Sequence, residues 1–194
     1  MKHLKRFDDS IESICKKYGI TNYSINIDGS IDVDSDVNLS EKKLTKLPLK
    51  FNKVGGYFNC SYNKLTTLEG SPMEVGGHFY CYSNQLTTLE GSPREVGGDF
   101  NCNSNQLTTL EGSPREVGGD FDCYNNKLTT LEGSPMEVGG DFDCSDNKLP
   151  QVIMGSKYLK KILTQGDDFY IWKRGKLDMS SFEYMIEIFE DEDI

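Results

Sequence analysis

Five of the six cysteines, Cys60, Cys81, Cys102, Cys123 and Cys144, fall 21 residues apart, with Cys15 outside the series. Thiols can pair as disulfides, bind zinc or attack as nucleophiles. Five equivalent places cannot all pair among themselves, and no CxxC pair supplies two zinc ligands together. The spacing predicts a ladder of buried free thiols that behave as small apolar side chains. The two histidines, His3 and His78, are accompanied by neither a GxSxG elbow nor a GxxxxGK[ST] phosphate loop. No catalytic residue, cofactor or metal site is therefore expected, the chain is not expected to be an enzyme, and His78 reads as a surface contact. "DVDSD" at Asp32–Asp36 begins like a calcium loop. An EF-hand needs Gly at its sixth position and Glu at its twelfth, where this chain has Val37 and Lys43.

The elements that position these residues follow from an internal repeat. Leu44, Leu65, Leu86, Leu107, Leu128 and Leu149 share the same interval. One unit reads L-T-T-L-E-G-S-P-x-E-V-G-G-x-F-x-C-x-x-N-x, and the unit at Leu44, "LTKLPLKFNKVGGYFNC", is degenerate. So short a unit cannot enclose a core alone, but stacked coils can cover each other's apolar sides. Phe and Cys alternate with polar residues, which predicts short strands over Tyr57–Ser61, His78–Tyr82, Asp99–Asn103, Asp120–Tyr124 and Asp141–Ser145 with Phe and Cys inward. Leu65, Leu68 and Val75 fill the remaining inward places of their coil. Gly76–Gly77 allows a tight corner. Asn84 and its equivalents are expected to bond backbone groups in the turn after the strand.

"F-x-C-x-x-N-x-L", as in Phe79, Cys81, Asn84 and Leu86, resembles the leucine-rich-repeat pattern L-x-L-x-x-N-x-L. Together with "DGSIDV", "VNLS", "LTKLPLKF", "LEGSPxEVGGDFxC" and "DDFYIWKRGKLD", it makes the chain resemble short bacterial-type leucine-rich-repeat proteins encoded by tailed bacteriophages. The resemblance implies a phage origin and a leucine-rich-repeat solenoid of class α/β, with short parallel strands on a concave face and small α/β caps. It implies no reaction. One departure is that the usual first leucine of the pattern falls at Gly76, with Val75 one place earlier, so the corner before the strand must differ.

Three segments are expected. Residues 1–43 form an N-terminal cap, with a helix at Asp9–Tyr18 and a hairpin at Tyr23–Val33 turning at Asp28-Gly29. Residues 44–149 hold the repeats. Residues 150–194 form a C-terminal cap, with a helix from Ser156 through Gln165, a hairpin in Phe169–Leu177, and a last helix capped by Ser180 or Ser181. That helix has Phe182, Met185, Ile186 and Phe189 on its apolar face. The tail "EDEDI" is expected to be solvated.

The outward strand positions vary between coils while the inward ones stay constant. The first column is Tyr57, His78, Asp99, Asp120 and Asp141. The second is Asn59, Tyr80, Asn101, Asp122 and Asp143. The third is Ser61, Tyr82, Asn103, Tyr124 and Ser145. The early coils are aromatic and the later ones acidic. Stacked strands lie about 4.8 Å apart, and two carboxylates at that distance repel by roughly 0.9 kcal/mol in water. A cation would relieve them: Lys or Arg of a partner first, a divalent ion second.

Charge sets the class of partner. The chain has 194 residues, with 21 Lys plus Arg against 31 Asp plus Glu and a formal charge of −10. Phosphate backbones and anionic lipid repel such a chain, so no direct nucleic acid and no membrane partner is expected. The opening "MKHLKRFDDSIESICKK" has no apolar run behind its basic residues, and no stretch nears the ~20 apolar residues of a membrane helix. The expected location is cytoplasmic, in the host cell cytoplasm for a phage-encoded chain. The expected function is non-catalytic binding of a protein with a basic or nucleic-acid-binding surface. The phage resemblance extends this to inhibiting or redirecting a host protein, a defence protein among the options. The binding face comprises Tyr57, Asn59, His78, Tyr80, Tyr82, Asp99, Asn101, Asn103, Asp120, Asp122, Tyr124, Asp141 and Asp143. Five strands span only about 20 Å by 10 Å, small beside the roughly 800 Å² each partner gives to a standard interface. A flank, a cap or a homo-oligomer is expected to enlarge it. The alternatives are an acidic decoy mimicking nucleic acid, a virion-surface adhesin, and a small-molecule sponge with a pocket between cap and first coil.

Overall fold

Each 21-residue unit folds into one coil that carries two very short strands, one on each of two parallel sheets. The structure is a computed structural model that describes residues 11–149, 153, 162, 172–173 and 176–191. One sheet is built from β2 (Ile31–Val33), β4 (Phe51–Val54), β6 (Glu74–Val75), β8 (Glu95–Val96), β10 (Glu116–Val117) and β12 (Glu137–Val138). β1 (Tyr23–Ile25) adds to its end, antiparallel to β2. The other sheet stacks β3 (Val37–Asn38), β5 (Phe58–Asn59), β7 (Phe79–Tyr80), β9 (Phe100–Asn101), β11 (Phe121–Asp122) and β13 (Phe142–Asp143). The chain is thus an α/β repeat solenoid, and β2 and β3, inside the segment 1–43, already take places in the two stacks.

Register follows the repeat. Phe58, Phe79, Phe100, Phe121 and Phe142 are successive Cα partners. Their rings stack at centroid spacings of 5.4, 5.3, 5.3 and 5.1 Å. Phe51 closes the start of the column edge-on at 5.0 Å. Beside it run Cys60, Cys81, Cys102 and Cys123, Leu65, Leu86, Leu107 and Leu128, and Leu68, Leu89, Leu110 and Leu131, all without solvent exposure. Each stacked aromatic pair contributes about 0.5–1.5 kcal/mol beyond area burial. All six cysteines are free and buried. Burial pushes the Cys60 and Cys144 thiols up to about 12 and raises Cys81, Cys102 and Cys123 as well.

The asparagine ladder staples coil to coil. Asn105 Nδ2 donates to the carbonyls of Cys81 (3.1 Å), Cys102 (3.0 Å) and Asn103 (3.2 Å), and its Oδ1 accepts from Leu86 N at 3.0 Å. Asn63, Asn84, Asn126 and Asn147 repeat this pattern.

Two features differ from the sequence expectation. In the Phe-bearing sheet, regular strand covers two residues per coil rather than five. In several coils an Asx turn ends it: Ser61 N donates to Asn59 Oδ1, Asn103 N to Asn101 Oδ1 and Ser145 N to Asp143 Oδ1. The Glu-Val sheet was also not expected. It forms because the first glycine of each pair lets neighbouring coils approach closely. A Cβ on Gly97 would collide with the carbonyl oxygen of Gly76, a rigid backbone atom.

At the N-terminal end, residues 11–18 form helix α1, which buries Ile11 and Cys15. The hairpin of β1 and β2 turns through Asn26–Ser30, with Gly29 at φ 78°. At the other end, Ile153 and Ile162 are helical and buried, and the rest of the expected helix Ser156–Gln165 lies outside the described residues. β14 (Trp172–Lys173) pairs antiparallel with β15 (Lys176–Leu177), inside the expected hairpin. Helix α2 (Met179–Asp191) buries Phe182 and Ile186, with Met185 and Phe189 packed partly buried beside them. Its cap is Asp178 rather than a serine: Phe182 N donates to Asp178 O at 3.0 Å and Ser181 Oγ to Asp178 Oδ2 at 2.7 Å. Met1–Ser10, which include His3, and residues 192–194 of the tail lie outside the described residues.

This packing makes two predictions. Thiol titration of the folded chain at pH 8 finds Cys60, Cys81, Cys102, Cys123 and Cys144 unreactive until denaturant is added, because burial suppresses the thiolate. Gly97→Ala, stabilising at an ordinary loop glycine by reducing unfolded-state entropy, here destabilises by about 1–3 kcal/mol through overpacking, whereas exposed Thr108→Ala stays within about 0.5 kcal/mol. Urea unfolding checks both values.

Candidate functional site

The outward face of the Phe-bearing sheet has three columns that differ in character. The first column supports the backbone. Asp99 Oδ1 accepts from Asp120 N at 3.0 Å, and Asp120 Oδ1 from Asp141 N at 2.7 Å. Asp36 Oδ1 accepts from Tyr57 N at 3.0 Å. The "DVDSD" segment therefore supplies the first rung of this ladder, while Asp32 Oδ1 accepts from Asn52 Nδ2 at 2.7 Å. His78 replaces a rung. Its Nδ1 lies 3.0 Å from both Asp99 N and Asp99 Oδ2. One nitrogen cannot accept from the amide and donate to the carboxylate together, and the other rungs' pattern assigns its lone pair to the amide. The second glycine of each pair makes room for this ladder: a Cβ on Gly119 would meet the Asp99 carboxylate.

The second column is half-buried. Asn101 Nδ2 donates to Asp122 Oδ2 at 2.9 Å. Burial raises the Asp122 carboxyl, and the nearby charges of Asp143, Asp120, Asp99 and Asp141 raise it further. Burial likewise raises the Tyr80 hydroxyl, with Asp99, Tyr82 and Asp122 adding to the effect.

The third column is not uniformly outward. Ser61 and Asn103 are buried, because the Asx turn carries the chain off the sheet face. Asn103 Nδ2 donates to Asn101 Oδ1 at 2.6 Å. Tyr82 and Tyr124 stay partly exposed.

These columns converge on a groove of about 510 Å³. Of the expected residues, Tyr80, Tyr82, Asp99, Asn101, Asn103, Asp122 and Tyr124 line it. Tyr57, Asn59, His78, Asp120, Asp141 and Asp143 do not, although His78 stacks on Tyr80 at 5.5 Å and the carboxylates act on Asp122 through their charge. Tyr62, Ser83 and Ser104 join from the next turn and were not anticipated. All three have positive φ, at 54°, 53° and 55°. The available signal was the aromatic residue beside the ladder asparagine Asn63. Tyr62 packs edge-on to Tyr82 at 5.1 Å, and Tyr80 to Tyr82 at 6.2 Å.

Two other grooves differ in character. The Glu-Val sheet faces one of about 700 Å³, along which Glu74, Glu95, Glu116 and Glu137 stack in register. Cations of the same chain stand beside three of them: Lys53 at 3.2 Å from Glu74, Arg94 at 4.0 Å from Glu95 and Arg115 at 3.8 Å from Glu116. Between α1 and the first coil, Tyr18, Lys43, Lys46, Leu47 and Lys50 line a groove of about 660 Å³. Lys50 is held there by Asp28 at 2.6 Å, which keeps the Asp28 carboxyl well below the usual range. Among the described residues, no group of three or more His, Cys, Asp or Glu is arranged to hold a metal ion, and no helix is long and apolar enough to cross a membrane.

Comparison with known proteins finds no family model, no curated protein and no solved structure that matches this chain.

The raised Asp122 carboxyl carries a sign. Its ionisation opposes folding, so its contribution is fully favourable below the unfolded carboxylate range, near pH 4, and is lost as pH rises through its own elevated value. Asp122→Asn, which keeps an acceptor for Asn101, therefore raises the melting temperature at pH 7, by no more than about 2 °C because water screens a partly exposed carboxylate. Below pH 4 the gain over the parent chain vanishes. Melting curves from pH 3 to pH 8 check both ends.

Proposed function

We propose that this chain is a non-catalytic binding module that takes a basic protein surface onto the Tyr/Asp face of its Phe-bearing sheet. A repeat solenoid is a fold suited to protein binding, since its regular core leaves the outward positions of every coil available for recognition. The observation that carries the reading is the groove itself. Tyr62, Tyr80, Tyr82 and Tyr124 meet Asp99 and Asp122 there, outside the packed core. Tyrosine offers large contact area for few rotors, and partly buried carboxylates favour a partner that brings Lys or Arg. The turn residues Tyr62, Ser83 and Ser104 widen the face beyond the strands, in line with its need for a flank. Where the chain is phage-encoded, as the sequence resemblance suggests, the partner is a host protein that the module inhibits or redirects.

The test starts from affinity purification and identification of the partner by mass spectrometry. The purified partner's affinity is then measured against the parent chain, Tyr80→Ala/Asp122→Asn, and the opposite-sheet variant Glu95→Gln/Glu116→Gln. The groove variant is expected to weaken binding by at least tenfold, about 1.4 kcal/mol, while the opposite-sheet variant binds like the parent. Equal affinity for the groove variant and the parent, with both folded by circular dichroism, overturns the reading.

A further inference from the structure

Resting on that reading, we infer that the groove selects arginine, by stacking a guanidinium on the tyrosine rings within reach of the Asp99 and Asp122 carboxylates. Three observations lead there. The first is the difference between the two sheets. On the Glu-Val sheet the chain places Lys53, Arg94 and Arg115 beside its own glutamates. The groove's lining has two carboxylates and no lysine or arginine; His78 stands beside Asp99 at 3.0 Å, and a lysine or arginine for these carboxylates has to come from outside.

The second observation is the order along the stack. Tyr80 pairs in register with Asn101, and Asn101 with Asp122. At about 4.8 Å per strand, the backbones that carry the tyrosine and the carboxylate stand about 10 Å apart, with Asn101 between them. That span accommodates a flat cation one of whose faces lies on a ring while its edge reaches a carboxylate. Asp122 Oδ2 is already engaged by Asn101, which fixes the carboxylate's orientation.

The third observation is how the rings are arranged. Tyr62 and Tyr82 meet at 82°, Tyr80 and Tyr82 at 65°, and His78 lies flat against Tyr80 at 11°. Rings packed edge-on against one another do not enclose a spherical ammonium on several sides. His78 covers one face of Tyr80, which leaves that ring at most one face for a ligand. A guanidinium suits such a surface, being planar, weakly hydrated, able to stack on an aromatic face and able to fork toward carboxylates. A lysine ammonium is a compact, strongly hydrated charge that gains less from the ring and gives up more water.

The experiment compares octa-arginine with octa-lysine, which have the same charge, by isothermal titration at low and at physiological salt. The parent chain is expected to bind octa-arginine about tenfold more tightly. Tyr80→Leu, which keeps the bulk and removes the aromatic face, is expected to reduce that ratio to near one. Asp122→Asn is expected to weaken both peptides. Tyr82→Leu takes the place of Tyr80→Leu should the latter melt early. Equal binding of the two peptides by the parent, with both weakened by Asp122→Asn, ends the arginine preference and leaves a basic-partner surface standing. A preference that survives the loss of both ring faces also ends it. Binding untouched by any groove variant removes the underlying reading as well.

Discussion

The in-register pairing of each coil with the next is the constraint on which the rest of the molecule depends. A two-residue strand cannot satisfy its own backbone, and 21 residues cannot bury their own apolar side. Both needs are met by the neighbour. The amide of Phe79 donates to Asp99 O, that of Phe100 to Asp120 O and that of Phe121 to Asp141 O, each at 2.8 Å. The same step that aligns these bonds lays phenylalanine on phenylalanine and sets each ladder asparagine under its neighbour's carbonyl. The glycine pairs belong to this constraint, because coils this close leave no room for a Cβ where backbone meets backbone. Stability in such an array is a sum of neighbour terms.

Because the stack secures the interior, the two outer faces can differ. The Glu-Val face repeats the same letters, with basic side chains of the same chain nearby. The Phe-bearing face changes from coil to coil and concentrates tyrosines in the early coils and carboxylates in the later ones. Part of that acidity is structural, since Asp36, Asp99 and Asp120 each hold the amide of the next coil. Burial raises the Asp122 carboxyl, and the charges of Asp143, Asp120, Asp99 and Asp141 raise it further, which disfavours its ionised form. On this face the carboxylates of Asp99 and Asp122 stand among the rings of Tyr62, Tyr80, Tyr82 and Tyr124, the arrangement on which the proposed binding role rests.

Much of this was legible in the letters. The interval of the cysteines and leucines gives the coil, and the alternation of Phe and Cys with polar residues gives the inward set, buried in the structure except for Phe142 of the last coil, which is partly buried. What escaped the reading did so for local reasons. The strands are too short to show periodicity, so the Glu-Val sheet left only a repeated doublet, and Val75 read merely as a displaced core residue. Alternation past Asn59 or Asn101 assumed that the strand continued, whereas the Asx turn hides Ser61 and Asn103. Tyr62 escapes an alternation pattern because its outward position comes from a left-handed turn. The aspartates of the first column looked free because their acceptor role links residues 21 apart.

The central claim is a stack whose register is fixed at 21 residues, and shortening the chain by one unit tests it directly. Deleting 107–127 joins Gln106 to Leu128 and leaves every remaining coil in register, whereas deleting 108–127 leaves one residue too many. In urea unfolding, the first chain is predicted to unfold cooperatively at a modestly lower midpoint, and the second to lose much more stability or fail to fold. Equal stability of the two deletions, or failure of the first to fold while the second succeeds, would contradict the account.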